Sequence, residues 1–420
     1  MPVPPFHLSP VQRRLVPLIA ATFLGGMELW VPIEKLFIAR IGFTPQTVGL
    51  MAAAYAVVVP LLEIPSGILA DRWSRRGVLI IGNAGITASV LVGGLATNVA
   101  TYVVSALLLG IYFAMQSGTF EAVVYDTILE ETGSSDGFER LVGRIRFVES
   151  ASFVLSALAG GALAAVTSLR VAYFATLPFL ALSTVCLLAF REPRLHEAGE
   201  SRTVREHVGV TVRTLRRDPR LVPVVALLVL TAVLTQAVVE FGPLWLVAAG
   251  TGAGSFGPAW AALMASLGIG GLLAGRVRLD TGRMTAGVMG VLVAASIVLA
   301  VVDHPAVATA AQSVLVVLPV AVGISLTRRL HDSVASDIRS GVASGVGALT
   351  WAVFLPFALG FGMVSERLGV RPAGWTLVGL AVGVAALLPV VQAAHRAHAA
   401  VRTVVPEGCG PEPVPEPAAA

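Results

Sequence analysis

The sequence has few charged residues: they make up 13% of its 420 residues, whereas 56% are hydrophobic and the mean hydropathy is +0.83. A soluble domain carries about 25% charged residues. Half that density cannot cover the surface of a water-soluble globule, so most of the surface is expected to face lipid. The composition therefore excludes an ordinary soluble domain and predicts an integral membrane protein.

Lysine and cysteine are almost absent. Lys35 is the only lysine, so the formal net charge of +4 rests on arginine. A basic excess suits nucleic acid or an anionic membrane surface, and the apolar runs between the arginines favour the membrane, with no nucleic-acid partner. Cys186 lies in an apolar run and Cys409 in the C-terminal tail. Neither has a partner by sequence, so we expect no disulfide framework and no cysteine metal site.

Motifs of catalysis are also missing. The sequence holds no Walker loop and no His-Glu-x-x-His cluster. His304 and His331 fall in predicted loops, and the glycine-rich segment from Gly250 to Gly257 lies between two apolar runs, which is typical of an outer loop. We therefore predict that the chain is not an enzyme and that it holds neither a metal nor a cofactor.

What the sequence does contain is a series of long apolar runs separated by short polar breaks. About 20 apolar residues cross a bilayer as a helix, whereas a barrel strand needs only about 10 in alternation. We therefore predict an all-α membrane protein with twelve transmembrane helices. They are expected near residues 15–38, 45–69, 77–97, 101–128, 145–167, 171–190, 221–248, 256–275, 284–302, 306–327, 342–364 and 372–394.

The apolar runs fall into two groups of six, which define the predicted domains. Residues 1–190 form an N-terminal six-helix bundle and residues 221–396 a C-terminal one, with a cytoplasmic central loop at 191–220. That loop is either a solvated connector or an amphipathic segment along the inner membrane surface. The tail at 397–420 ends in a stretch of Pro, Glu, Gly and Ala and is predicted to be disordered.

Arginine is unevenly distributed between the two sides of this topology. If both termini are cytoplasmic, only Arg40, Arg170, Arg367 and Arg371 fall on the outer side, and the other arginines fall on the inner side. Cytoplasmic loops are the ones that accumulate arginine and lysine. The bias therefore predicts a multi-pass protein of the inner (cytoplasmic) membrane with both termini in the cytoplasm and an even number of spans.

A short internal repeat supports the division into two halves. Gly67–Arg72 (Gly-Ile-Leu-Ala-Asp-Arg) ends the second predicted span, and Gly271–Arg276 (Gly-Leu-Leu-Ala-Gly-Arg) ends the eighth. Four of the six residues match. Internal repeats of this kind are typical of transporters built from two related halves.

The loop after the second span, Gly67–Arg76, resembles the signature of the major facilitator superfamily, Gly-x-x-x-Asp-Arg/Lys-x-Gly-Arg-Arg/Lys, with Ser74 in place of the inner glycine. The resemblance covers nearly the whole chain through the twelve spans, the central loop and the degenerate copy after span eight. It implies two pseudo-symmetric six-helix bundles that carry a solute by alternating access. Spans one, four, seven and ten would line the solute path.

In this family the signature loop belongs to the inner gate. Gly67 would let two helices approach closely, and Asp71 would accept hydrogen bonds from the start of span eleven, near Gly341, in the outward-open state. The alternative is that the arginines only anchor the topology. The residues to which the resemblance gives conformational roles are Gly67, Asp71, Arg72, Arg75, Arg76, Gly271 and Arg276.

Two further segments resemble a bacterial subgroup of efflux and drug-resistance transporters within this superfamily. They are Glu63–Gly67, before the signature loop, and Ser117–Asp126, in span four. Span five contains Ala159-Gly160-Gly161 but lacks the Gly-Pro pair of the family's antiporter motif.

Charges inside the predicted spans are candidate solute and proton sites. A charge at mid-bilayer costs about 2.5–3.5 kcal/mol unless it has a partner or a water-lined cavity. In span one, Glu28 and Lys35 are seven residues apart, which places them on one helix face roughly 10 Å from each other, while Glu34 is expected to point elsewhere. Lys35 either belongs to the site or extends outward to the interface.

Span four carries a polar stripe. Ser117, Glu121 and Tyr125 follow i, i+4 spacing, and Gln116 lies beside them. A carboxyl group in this position would carry a coupled proton, since burial favours its protonated form. The alternative is structural: Glu121 and Asp126 would pair with Arg144 or Arg146 at the start of span five.

Span seven repeats the pattern with Gln236 and Glu240 in its outer half. Phe241, Gly242 and Pro243 follow and predict a bend. Glu240 would meet Lys35 across the two bundles when the outer gate closes. Glu28, Glu121 and Glu240 are thus the candidate protonation sites.

Together these features predict a secondary active transporter that moves a small solute across the lipid bilayer, coupled to H+, in the direction of efflux and as a monomer. A nutrient or metabolite uptake symporter is the alternative within the class. A transport-inactive sensor or partner-binding protein on the same fold is the alternative from another class. It would need a large soluble domain or a long structured loop, and the sequence shows neither.

Replacement of Asp71 by Asn is expected to lower the initial rate of transport several-fold, because the amide keeps the size of the side chain but not the charge that would hold the inner gate. The rate is measured in membrane vesicles, with membrane content followed by immunoblot. Asp303→Asn, in a predicted loop, is the matched control. Full activity of Asp71→Asn at normal membrane content would contradict the gating role.

Overall fold

The computed structural model describes residues 10–116, 119–133, 138–193, 209, 213, 215–216, 218–274, 282–333 and 339–404. Every regular element in these ranges is helical. The helices are α1 (Pro10–Gly25), α2 (Glu34–Arg40), α3 (Pro45–Arg72), α4 (Arg75–Leu95), α5 (Val99–Gln116), α6 (Thr119–Thr132), α7 (Phe138–Val166), α8 (Leu169–Ala189), α9 (Leu221–Phe241), α10 (Pro243–Ala248), α11 (Ala253–Leu273), α12 (Gly282–Val301), α13 (Pro305–Ser333), α14 (Arg339–Leu368) and α15 (Val370–Val404). A single 3-10 turn, Val31–Ile33, precedes α2.

Eleven segments within the described residues are long and apolar enough to cross a membrane. They overlap the second to the twelfth predicted spans, which confirms the all-helical, multi-pass class. The fourth predicted span covers α5 and part of α6, between which residues 117–118 lie outside the described part, and the seventh is divided between α9 and α10. The predicted central loop and C-terminal tail lie largely outside the described residues.

The first predicted span, 15–38, is not a continuous helix, and this expectation was wrong. α1 ends at Gly25, the chain from Gly26 to Trp30 is not helical, and α2 is only 7 residues long. Two adjacent glycines lower helix propensity, and Pro32 has no N–H to donate to a preceding turn. The hydropathy of the segment does not reveal this break, because apolar residues continue through it.

The interruption predicted in the seventh span is present at Gly242, between α9 and α10. Pro243 begins α10, a position where its missing N–H is harmless. Gln312 Nε2 on α13 donates to the Gly242 carbonyl at 3.0 Å, and Trp245 Nε1 donates to the Leu299 carbonyl at 2.9 Å. These bonds fix the end of α9, which carries Glu240.

Small and polar residues make close contacts between the helices, and large apolar side chains occupy both the core and the outer surface. Ser89 and Ser105 exchange hydrogen bonds between α4 and α5, with Oγ to carbonyl distances of 2.8 and 2.7 Å. Asn83 Nδ2 on α4 donates to Thr184 Oγ1 on α8 at 2.6 Å. Leu272 is 79% exposed, as expected for a lipid-facing position. This pattern is that of helices associating in lipid, where apolar burial alone gives little driving force.

Helices α1–α8, here called the first set, and helices α9–α15, the second set, meet along a few pairs. α3 packs against α14, α7 against α11 and α2 against α10. The close approaches lie near one end of the molecule. We call it the arginine-poor end; its turns lie at residues 41–44, 96–98, 167–168, 249–252, 302–304 and 369. The opposite, arginine-rich end includes residues 73–74 and 190–193.

Backbone contacts close the arginine-poor end. A Cβ atom added to Gly49 on α3 would lie 2.5 Å from the Ala358 carbonyl oxygen and 3.0 Å from the Gly362 Cα atom on α14. A Cβ atom added to Gly161 on α7 would lie 2.5 Å from the Gly257 Cα atom on α11. Backbone atoms cannot move aside as a flexible side chain can, so both approaches require glycine.

Gly161→Ala is expected to disfavour closure of the arginine-poor end, because its methyl group would overlap the α11 backbone. A cysteine at the cavity-lining position Met264 should then react faster with an impermeant maleimide added on that side, in a chain whose Cys186 and Cys409 are replaced by serine. Gly290→Ala is the control, because nothing lies within 4 Å of a Cβ at that position. Equal labelling rates in the two variants would contradict the assignment.

Candidate functional site

A cavity of about 760 Å³ lies between the two sets of helices. Its size falls within the range of small-molecule sites. It reaches from Trp30 and Tyr102 near the arginine-poor end to Leu18 and Leu187 towards the other end. Much of its wall is aromatic: Trp30, Tyr55, Tyr102, Tyr112, Phe113, Phe120, Phe153, Trp260 and Trp351.

One charge centre lies at the arginine-poor end of the cavity and consists of Glu34, Lys35 and Glu240, here called the lysine triad. Lys35 Nζ donates to Glu240 Oε1 at 2.6 Å and lies 2.9 Å from Glu34 Oε2. The Lys35 side chain is only 5% exposed. The contact between Lys35 and Glu240 expected from the sequence is therefore present, whereas extension of Lys35 to the interface is not observed.

The triad places two carboxylates on one ammonium group. Burying an ion is costly, and a close opposite charge with further hydrogen bonds offsets this cost. With all three groups ionised, the triad carries one net negative charge. Glu34 was expected to point elsewhere, and this was wrong: α2 begins at Glu34 after the 3-10 turn, so the direction of this residue follows from the break in the first span.

Tyrosines complete the hydrogen bonds of the triad. Tyr55 Oη on α3 donates to Glu240 Oε2 at 2.7 Å and accepts from Gln236 Nε2 at 3.2 Å. Tyr102 Oη on α5 donates to Glu34 Oε1 at 3.0 Å and lies 2.8 Å from Tyr173 Oη on α8. The network thus joins the two sets through Gln236 and Glu240.

Sequence reasoning missed Tyr55, Tyr102 and Tyr173. A usable signal existed, since the chain has only 5 tyrosines and a tyrosine inside an apolar span needs a hydrogen-bond partner. What the sequence could not show is which carboxylate each hydroxyl would meet.

A second charge centre lies further along the cavity, where Glu28 and Glu149 are close enough to interact electrostatically. Arg146 Nη1 donates to Glu149 Oε2 at 2.9 Å, and the Arg146 side chain is 55% exposed. The Glu28 carboxylate has no hydrogen bond or ion pair to any other residue in the described part of the chain, although the Glu28 backbone carbonyl accepts from the Val31 N–H. The helical spacing assumed between Glu28 and Lys35 was wrong because Glu28 itself lies in the non-helical segment from Gly26 to Trp30, yet both residues line the cavity.

The polar stripe predicted in span four is only partly realised. Gln116, the last residue of α5, lines the cavity. Tyr125 on α6 is 40% exposed and is not part of the cavity lining. Ser117 and the side chain of Glu121 lie outside the described part.

Residues of the signature loop form a network within the first set. Arg75 pairs with Asp126 on α6, and the predicted pairing of Asp126 with Arg144 or Arg146 stays a prediction. The Arg75 backbone N–H donates to Glu192 Oε1 at 2.5 Å, and Ser74 Oγ donates to Glu192 Oε2 at 2.6 Å. Glu192, which sequence reasoning did not single out, thus caps the N-terminus of α4, a position that favours a carboxylate.

The structure shows less about the other residues that were predicted to have conformational roles. Arg76 Nη1 donates to the Phe190 carbonyl at 3.1 Å. Gly271 has open space within 4 Å of an added Cβ, so no close helix approach uses it in this structure. The surroundings of Gly67, the side chains of Asp71 and Arg72, and the whole of Arg276 lie outside the described residues.

Comparison with known proteins shows a family match. The model of the family described as Major Facilitator Superfamily matches residues 18–353. Multidrug resistance protein 2 and Multidrug resistance protein 1 of Bacillus subtilis (strain 168) are similar to the chain, with 27% identity over 172 residues and 24% identity over 168 residues. These alignments cover 41% and 40% of this chain and only 40% and 42% of the two relatives.

Several solved structures share the fold. A mutant of the nucleoside transporter NupG superposes with a TM-score of 0.73 at 15% identity, over 90% of this chain and 99% of that chain. A bacterial homologue of the human lysosomal transporter Spinster, in an inward-facing and unoccupied conformation, gives 0.70 at 14% identity, over 92% and 98%. A D-xylose-proton symporter gives 0.63 at 14% identity, over 90% and 96%. At these identities the likeness concerns the fold alone.

Lys35→Met is expected to destabilise this arrangement by about 3–5 kcal/mol, because it leaves two buried carboxylates without their cation. Adding Glu240→Gln to it should recover part of the loss. Arg371→Met, which breaks an exposed pair with Asp303, is the control and should cost at most about 1 kcal/mol. Unfolding of the purified chain in detergent measures all three, and equal losses for Lys35→Met and Arg371→Met would contradict the importance of the triad.

Proposed function

The chain belongs to the major facilitator superfamily, and from this premise we propose that it is a secondary active transporter that exports a small cationic solute by alternating access. The observation that carries the proposal is Glu28, a carboxylate without a partner among the described residues, in an aromatic-lined cavity between two sets of helices. Such a site is suited to a solute that brings its own positive charge and an apolar body.

The proposed architecture has twelve spans in two six-helix bundles. α1, the 3-10 turn and α2 together make the first span, which the break divides into pieces too short to cross a membrane alone. The packing supports two bundles, since contacts between the first and second sets are confined to a few helix pairs such as α3 with α14. We propose that the protein works as a monomer.

The orientation follows from the distribution of arginine. The arginine-poor end would face the outside and the arginine-rich end the cytoplasm, with both termini inside. Under this orientation the contacts of Gly49 and Gly161 and the lysine triad close the outer side. The structure would then be the inward-facing state of the transport cycle.

The charge of the cavity favours a cationic solute over an anionic one. Its described lining holds more acidic than basic side chains: Glu28, Glu34, Glu149, Glu240, Lys35 and Arg146. Lys35 would be the natural attractor of an anion, but two carboxylates already bind its ammonium group. A low-dielectric cavity with this excess of negative charge binds protons or a cationic group most favourably.

The proposal also includes the direction of transport, which is export, and the coupling of transport to protons. The Bacillus relatives are named for multidrug resistance, which supports efflux. Glu28, Glu121 and Glu240 are the proposed proton carriers. The alternative is uptake of a neutral solute, as in the D-xylose-proton symporter that shares the fold. In that case only protons would neutralise the negative charge of the cavity.

Glu28→Gln is expected to lower the export of cationic aromatic compounds by about tenfold or more, equivalent to losing one partly buried charge contact. Growth inhibition across a panel of toxic cationic and neutral compounds, compared between overexpressing and deletion strains, provides the first measurement. Efflux of a fluorescent cation from preloaded cells gives the rate. Asp303→Asn, an exposed carboxylate outside the cavity, is the control.

Two results would overturn parts of this proposal. Unchanged resistance to cations in Glu28→Gln, at normal membrane content, would remove the assigned solute site. Efflux that continues unchanged after a protonophore collapses the proton gradient would remove proton coupling but leave the solute site intact.

A further inference from the structure

The two carboxylates that bind Lys35 belong to different sets of helices. Glu34 precedes Lys35 on α2, in the first set, whereas Glu240 lies on α9, in the second. In the described part of the chain, Glu240 is bound by Lys35 and by Tyr55 of α3. Both of these partners belong to the first set. Separation of the sets at the arginine-poor end would therefore remove both bonds of Glu240 at once.

Glu34, by contrast, is held entirely within the first set. Tyr102 on α5 donates to its Oε1 atom, and Tyr173 on α8 lies against the Tyr102 hydroxyl. Tyr102 and Tyr173 are 2% and 1% exposed. Phe37 on α2 packs against both rings, with centroid distances of 6.1 and 4.8 Å. No part of this support depends on α9.

From this asymmetry we propose that Lys35 exchanges partners during transport: Glu34, positioned by Tyr102, keeps the ammonium group balanced when the arginine-poor end opens, and Glu240 is left as the free carboxylate there. The inference rests on the alternating access proposed above. Glu34 and Tyr102 are positioning residues in this scheme, since they act on the solute path through Lys35.

The scheme predicts that Glu240→Gln and Glu34→Gln, which each remove one carboxylate partner of Lys35, have opposite effects on the opening of the arginine-poor end. Glu240→Gln destabilises the closed state, because that state loses an ion pair. It does not destabilise the open state, because no unpaired carboxylate is then left at position 240. Glu34→Gln has little effect on the closed state, where Glu240 still binds Lys35, but leaves Lys35 without a carboxylate in the open state. The first change should therefore open the arginine-poor end, and the second should keep it closed.

Two tyrosine variants test the same scheme with a smaller change, in case a carboxylate variant does not fold. Tyr55→Phe removes a bond that exists only when Glu240 meets the first set, so it should favour opening. Tyr102→Phe weakens the support of Glu34, so it should favour closure. Each variant deletes one hydroxyl from a buried aromatic residue and leaves the ring in place.

The experiment measures a distance across the arginine-poor end of the full chain in lipid nanodiscs. Spin labels are attached at Arg40→Cys, at the end of α2, and Ala249→Cys, after α10, both of which are exposed, in a background with Cys186 and Cys409 replaced by serine. Pulsed electron resonance then gives the ratio of long to short distances. Asp303→Asn is the control and should leave this ratio unchanged.

The expected shift in the ratio is about tenfold for each carboxylate variant, near the low end for close charge pairs, and about threefold for each hydroxyl variant, as for one ordinary hydrogen bond. The signs must be opposite within each pair. Shifts in the same direction for Glu34→Gln and Glu240→Gln, or for the two tyrosine variants, would overturn the partner exchange while leaving alternating access in place. A single short distance in every variant would overturn both.

Discussion

The structure depends on balancing the buried ammonium group of Lys35. An ion removed from water without a partner costs several kcal/mol, so every accessible conformation is expected to leave Lys35 at least one carboxylate. Glu34 supplies it from the same set of helices, and Glu240 adds a second from the opposite set. The first contact survives a separation of the two sets, and the second does not. One lysine can therefore close the arginine-poor end without fixing it closed.

That charge contact is possible only because the backbones come close enough for short side chains to meet. Gly49 and Gly161 allow α3 and α7 to touch α14 and α11 directly, near the same end as the lysine triad. Steric and electrostatic closure therefore act together, and loss of either weakens the other. At the opposite end, Arg75 binds Asp126 and Glu192, and these two contacts stiffen the first set.

The sequence predicted the features that depend on composition and long-range charge balance. Apolar runs located eleven of the spans, and the cost of charge in lipid led to the expectation that Lys35 would meet Glu240. It did not predict the break after Gly25, because glycine and proline are tolerated in membrane helices when neighbouring groups satisfy the backbone. The errors on Glu34 and on the spacing of Glu28 follow from that break, since helical geometry was extended through it. The tyrosine partners depend on tertiary contacts that no local pattern encodes.

The two charge centres of the cavity differ in how far their charged groups are already paired within the protein, and therefore in how well they could bind a solute. In the lysine triad the ammonium group is enclosed by its own carboxylates and tyrosines, so this centre responds mainly to movement of the helices. At Glu28 and Glu149 the basic partner, Arg146, is more than half exposed and donates to Glu149. Water screens an exposed guanidinium strongly, so Arg146 offsets the acidic groups of this centre only weakly. In the proposed transport cycle, a cation entering the cavity would be drawn to Glu28, while the triad would determine which end of the cavity is open.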